Sequence, residues 1–111
     1  MTPQEMYDHL VETVKGYNPA AGFDQIHAAY EYAAAHHAGQ NRKDSSPFIT
    51  HPLAVAQIVA EELHLDTESI VAALLHDTIE DTSATHEEIS KLFSPTVADL
   101  VEGVSKLTRV H

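Results

Sequence analysis

Four ionisable side chains fall within six residues at His76, Asp77, Glu80 and Asp81. An adjacent imidazole and carboxylate can hold a divalent cation, and this pair suits Mn²⁺, Fe²⁺ or Zn²⁺. A second acidic pair one turn later can orient or deprotonate water, or protonate a leaving oxygen. On a continuous helix, His76 and Glu80 stand four apart, as do Asp77 and Asp81. One neighbourhood then holds an imidazole and three carboxylates. The apolar run Ala72-Ala73-Leu74-Leu75 leads into the pair, so the carrier helix is buried just before it. Burying an unpaired Asp is costly, which asks for a cation nearby. The bland alternative is a solvated acidic helix end, although acids there oppose the helix dipole.

His51 is a second candidate, placed between Pro47-Phe48-Ile49 and Pro52 at a loop-to-helix junction. A lone His there more often packs than ligates. His9, His27, His36, His64, His86 and His111 read as surface or packing residues. His37 is set apart because it ends a helix just before a polar loop. Arg42 and Lys43 in that loop are either phosphate and base contacts or plain solvated charges; Arg, unlike Lys, can also stack on a nucleobase. Tyr30, Tyr32, Phe48 and Phe93 read as core or rim.

The elements that must position these groups are helical. Apolar spacing and breakers predict six helices and no strand. They run from about Pro3 to Val14, Phe23 to Ala38, His51 to Leu63 and from just after Asp66-Thr67 into the His76-Asp77 pair with a break near Thr82-Ser83, then Thr85 to Leu92 or Phe93 and from Ser94-Pro95 onward. Thr2-Pro3 forms a cap with Pro at the first position. Thr85 and Glu88 have capping-box spacing. The expected fold class is an all-α bundle forming a single domain over residues 1–111, with short connections.

Composition bounds the function. The 111 residues carry a net charge of −11 with six Lys and Arg, so a basic nucleic-acid face is not expected. Between Asp44 and Ser90 there is no Lys or Arg, while nine acids fall between Glu61 and Glu88. That field favours divalent cations and repels phosphates, so a phosphate ester would need a metal or the Arg42-Lys43 loop. There is no Cys, which excludes disulfides and thiolate metal sites. No apolar run reaches the roughly 18 residues that span a bilayer. The expected location is the cytoplasm.

Several stretches, in order, resemble one family. They are Ala34-Ala35-His36-His37-Ala38-Gly39-Gln40-Asn41-Arg42-Lys43, Pro47-Phe48-Ile49-Thr50-His51-Pro52, Ala72-Ala73-Leu74-Leu75-His76-Asp77-Thr78-Ile79-Glu80-Asp81-Thr82 and Leu100-Val101-Glu102-Gly103-Val104. The chain resembles the N-terminal HD hydrolase domain of the RelA/SpoT alarmone enzymes from about Tyr17 onward. The resemblance implies an HD-type helical bundle and Mn²⁺-dependent removal of the 3′-pyrophosphate from (p)ppGpp. It implies His51, His76 and Asp77 as metal ligands. Glu80 and Asp81 match the pair that activates water, Arg42 the residue packing on guanine, and Lys43 a nucleotide contact.

Two departures stand out. Asp44-Ser45-Ser46 replaces the family's usual Ser-Gly-Glu, which keeps another nucleotide open as substrate. The family's fourth ligand is an Asp on a later helix, and this sequence is expected to stop before it. Asp99 and His111 are the late substitutes, and neither fits the pattern. The competing expectation is a catalytically incomplete module acting through self-association or a partner. Uncovered apolar surface of that kind predicts a homo-oligomer.

Overall fold

The computed structural model describes residues 1–41 and 44–109, apart from the side chains of 81 and 105–109. The described residues form seven helices: α1 (Pro3–Tyr17), α2 (Phe23–His36), α3 (Thr50–Leu63), α4 (Thr67–Leu75), α5 (Thr78–Asp81), α6 (His86–Leu92) and α7 (Pro95–Arg109). No strand forms among them; the only pairing is an isolated bridge between Asn41 and Pro47. The all-α expectation holds. No described helix is long and apolar enough to cross a membrane.

α4 is the centre of the bundle and packs on α2, α3 and α7. Its residues Ile70, Val71, Ala72, Leu74 and Leu75 are all buried. A helix apolar all round belongs inside, and this one is enclosed by its neighbours. Its start is fixed from two sides. Asp66 caps it by accepting from Ser69 N at 3.0 Å. Gly22 N donates to Thr67 Oγ1 at 3.0 Å, tying it to the entry of α2. Tyr17 Oη donates to Leu65 O at 2.7 Å and secures the α3–α4 connection to the end of α1.

Two terminal details differ from the sequence expectation. Thr2 and Glu5 make a full capping box on α1. Thr85 accepts from Glu88 N at 3.1 Å, but the Glu88 carboxylate instead receives the Tyr32 hydroxyl across from α2. The reciprocal half of that box gives way to a bond between helices. The largest difference concerns α4, which was expected to continue through His76-Asp77. It stops at Leu75, and a one-turn α5 begins at Thr78.

Candidate metal centre

Side chains bend the chain between α4 and α5. The ring nitrogen Nδ1 of His76 lies 2.7 Å from Ala73 O, and Thr78 Oγ1 donates to Leu75 O at 2.7 Å. A continuing helix would use those carbonyls for backbone N–H groups four residues on. Local side-chain bonds of this kind compete with helix propagation. The i,i+4 spacing expected through His76 and Asp77 is therefore replaced by a turn, with Asp77 at φ −88°, ψ −9°. A carbonyl can only accept, so His76 Nδ1 carries a proton. Its Nε2 is then the atom offered to the site. Such a carbonyl partner is the usual way a metal-binding imidazole is oriented.

His51 arrives from the first turn of α3. Thr50 Oγ1 donates to Pro47 O at 2.7 Å, and Ile49 and Pro52 on either side are buried. These contacts hold the junction against the core. His51 Nε2 lies 3.3 Å from Asp77 Oδ2, and His76 Nε2 lies 3.1 Å from the same oxygen. The three ligating atoms stand within 4.8 Å of one another. His76 is 5% exposed and Asp77 9%.

Despite this proximity, Asp77 Oδ2 is buried with no hydrogen bond of acceptable geometry. Close approach without a well-placed proton is what a shared cation explains. Ligands about 2.1 Å from one ion stand about 3.0 Å apart at right angles and about 3.4 Å apart at a tetrahedral angle. The two observed separations lie in that span. The donor set of two imidazoles and one carboxylate fits a divalent transition metal.

The electrostatics run the same way. Burial pushes the Asp77 carboxyl up, but the adjacent His76 and the charges of His51 and His37 outweigh it and hold Asp77 below its ordinary value. Burial opposes charge on His76, yet Asp77, the Ala73 carbonyl and the Glu80 charge together raise it. Without a metal, the two groups favour each other's charged forms.

Glu80 sits half-buried on α5, near enough for its charge to be felt at His76. Asp81 closes α5, and its side chain lies outside the described residues, as do Arg42 and Lys43. The ends of the Arg42-Lys43 loop are described. Asn41 bridges Pro47, and Phe48 N donates to Gln40 O at 3.0 Å. Asp44 Oδ1 accepts from Ser46 N at 3.0 Å and from Ser46 Oγ at 2.5 Å. This unexpected acid thus has a local turn-forming role. Ser45 takes φ +71°.

Asp99 does not reach the centre. It lies 2.8 Å from His86 Nε2 in a separate group with Glu102. His111 lies outside the described residues. His37, set apart in the sequence without an assigned role, is 2% exposed and stacks on Phe48 at 4.6 Å. Phe48 in turn presents its ring to His51 at 6.1 Å. The only sequence signal was its place at a helix end beside the loop.

A family model described as an HD domain matches residues 29–111. The bifunctional (p)ppGpp synthase/hydrolase SpoT of Escherichia coli strain K12 is 46% identical over 105 residues, covering 95% of this chain and 15% of that protein. The chain is an HD domain of the RelA/SpoT family. A GTP pyrophosphokinase of Myxococcus xanthus is 54% identical to this HD domain over 97 residues, covering 87% of it and 13% of that enzyme. Among solved structures, a metazoan orthologue of SpoT that hydrolyses ppGpp matches with a TM-score of 0.69 and 37% identity. The match covers 73% of this chain and 47% of that one. The HD domain described here spans at most 15% of the length of these two curated relatives.

Proposed function

We propose that this HD domain is a metal-dependent phosphohydrolase that removes the 3′-pyrophosphate from (p)ppGpp, with Mn²⁺ as cofactor. The observation that carries the reading is the convergence of His51 Nε2, His76 Nε2 and Asp77 Oδ2, in a chain akin to SpoT and to a metazoan ppGpp hydrolase. His51, His76 and Asp77 would hold the cation. A cation bound there supplies Lewis acidity, polarising a phosphoryl oxygen and acidifying water.

The chain's own groups do the rest. The Ala73 carbonyl fixes the His76 ring, so Nε2 keeps one direction throughout. Glu80 and Asp81 on α5 sit just beyond the ligand turn, where a carboxylate takes a proton from the attacking water. Arg42 packs on guanine and Lys43 makes a neighbouring nucleotide contact. These two are the only Lys or Arg between Gly16 and Ser90, so they offset the acidic field that would otherwise repel the substrate.

The decisive assay is pyrophosphate release from ppGpp with and without Mn²⁺, in the parent chain and in Asp77→Ala. Mn²⁺-dependent release that falls at least about 100-fold in the variant supports the reading. Equal release from both proteins refutes it.

A homo-oligomer is proposed as well. Val55, Val59, Leu65, Ala73, Leu100 and Val104 line an apolar cleft beside His76, and Leu100 and Val104 are exposed. Light scattering tests this at ~100 µM, well above typical specific affinities. A monomer at that concentration counts against it.

A further inference from the structure

His37 caps the C-terminus of α2 and is buried, yet nothing in the reaction proposed above uses it. Its Nδ1 lies 3.1 Å from Gln40 Oε1. That oxygen can only accept, so Nδ1 carries the proton and the neutral ring offers a lone pair at Nε2. Nε2 is buried and has no hydrogen-bond partner among the described residues. Buried acceptors without donors are rare because desolvating them is costly. The ring is also fixed: one face lies on Phe48, which itself stands against His51.

This atom belongs to the neighbourhood of the metal centre. Phe48 links the two: its ring centroid lies 4.6 Å from that of His37 and 6.1 Å from that of His51. His37 is nevertheless not among the three residues whose ligating atoms lie within 4.8 Å of one another, so it is not a further ligand in this arrangement. Two buried atoms, Asp77 Oδ2 and His37 Nε2, are thus left without a hydrogen bond of acceptable geometry. A cation satisfies the first. The second asks for a hydrogen-bond donor, and the donor that a hydrolase must admit is water.

We propose that His37 is a water-positioning residue of this centre, accepting through Nε2 a hydrogen bond from a water molecule on the open side of the His51–His76–Asp77 group. Gln40 sets the tautomer and Phe48 sets the plane of the ring. His37 aligns the water and does not keep its proton. The proposal rests on the hydrolase reading for its catalytic consequence and on the metal centre alone for its structural one.

Two variants separate the nitrogen from the ring. His37→Phe keeps a flat ring against Phe48 and loses the acceptor; His37→Gln keeps an acceptor near the Nε2 position. Mn²⁺ affinity by titration calorimetry stays within about threefold of the parent in both, because His37 is not a ligand. Pulsed electron paramagnetic resonance of the Mn²⁺-loaded chains in D₂O then reads the exchangeable deuterons near the ion. Their coupling changes in His37→Phe and is retained in His37→Gln.

With ppGpp, kcat falls about 100-fold in His37→Phe with KM within about threefold, and His37→Gln recovers at least about tenfold of that loss. Deuteron coupling in His37→Phe identical to the parent overturns the proposal, as does a kcat within about threefold of it. If the parent binds Mn²⁺ but releases no pyrophosphate, the hydrolase reading fails and the deuteron signal still decides the role of His37. Should His37→Phe not fold, His37→Met fills the space without a nitrogen and is read the same way.

Discussion

Nε2 of His51 lies 3.3 Å from Oδ2 of Asp77, although one residue lies in the first turn of α3 and the other follows α4. The two helices pack on each other, and each delivers its residue at an end rather than mid-helix. The centre therefore depends on two junctions being placed correctly, the Pro47–Pro52 entry to α3 and the α4–α5 turn.

The two imidazoles are held differently, and their removal should differ. His76 is buried and oriented by Ala73 O, while the side chain of His51 is 37% exposed. His76→Ala is expected to abolish saturable Mn²⁺ binding. His51→Ala is expected to weaken it at least about tenfold while leaving it measurable. Calorimetric titration of both variants checks the order.

The pH dependence has a definite sign. In the metal-free chain, His76 has a raised folded pKa. Its contribution to stability is fully present below the unfolded value near 6.5 and is lost as pH rises through the folded value. Metal binding runs the other way, because Nε2 must give up its proton. Mn²⁺ affinity should therefore climb with pH across that window, with about one proton released per ion at its lower end. Titrations in buffers of different ionisation enthalpy count the protons.

Ser45 stands at φ +71° in the loop that carries Arg42 and Lys43. A left-handed conformation costs a non-glycine residue about 1–2 kcal/mol. Glycine adds about 0.4–1 kcal/mol of unfolded-state entropy. The strain term is the larger, so Ser45→Gly is expected to stabilise the chain by up to about 1 kcal/mol. A rise in the urea midpoint at unchanged slope is the expected result.

Leu74 is fully buried on α4, which packs on α2, α3 and α7. Leu74→Ala should cost about 2–5 kcal/mol through lost burial and an unfilled cavity. Urea denaturation monitored by circular dichroism measures it.

Much of this was legible in the sequence, for identifiable reasons. The apolar periodicity of α1 to α4 reflects which faces are buried, and it placed those helices to within a few residues. Thr2, Asp66 and Ser94 announce helix starts through their own side-chain chemistry, and each accepts the backbone bond that starts its helix. The break at His76 was not legible, because Ala73 and Leu75 carbonyls accept equally well from backbone or side chain. Only the three-dimensional setting selects the side-chain donors. Glu88 was drawn from its cap by Tyr32, a residue distant in sequence. His37 stood apart in the sequence by its place before the loop, but its contacts with Phe48 and Gln40 were not legible there. The pairing of His51 with Asp77 came from resemblance alone, since no local pattern joins them.

His51, His76 and Asp77 are proposed to form one divalent-metal centre. The most direct measurement is calorimetric titration of the metal-free chain with Mn²⁺, repeated on His76→Ala. Saturable binding in the parent chain and its loss in the variant are the expected result. No saturable binding in the parent, or the same binding in both, would contradict it.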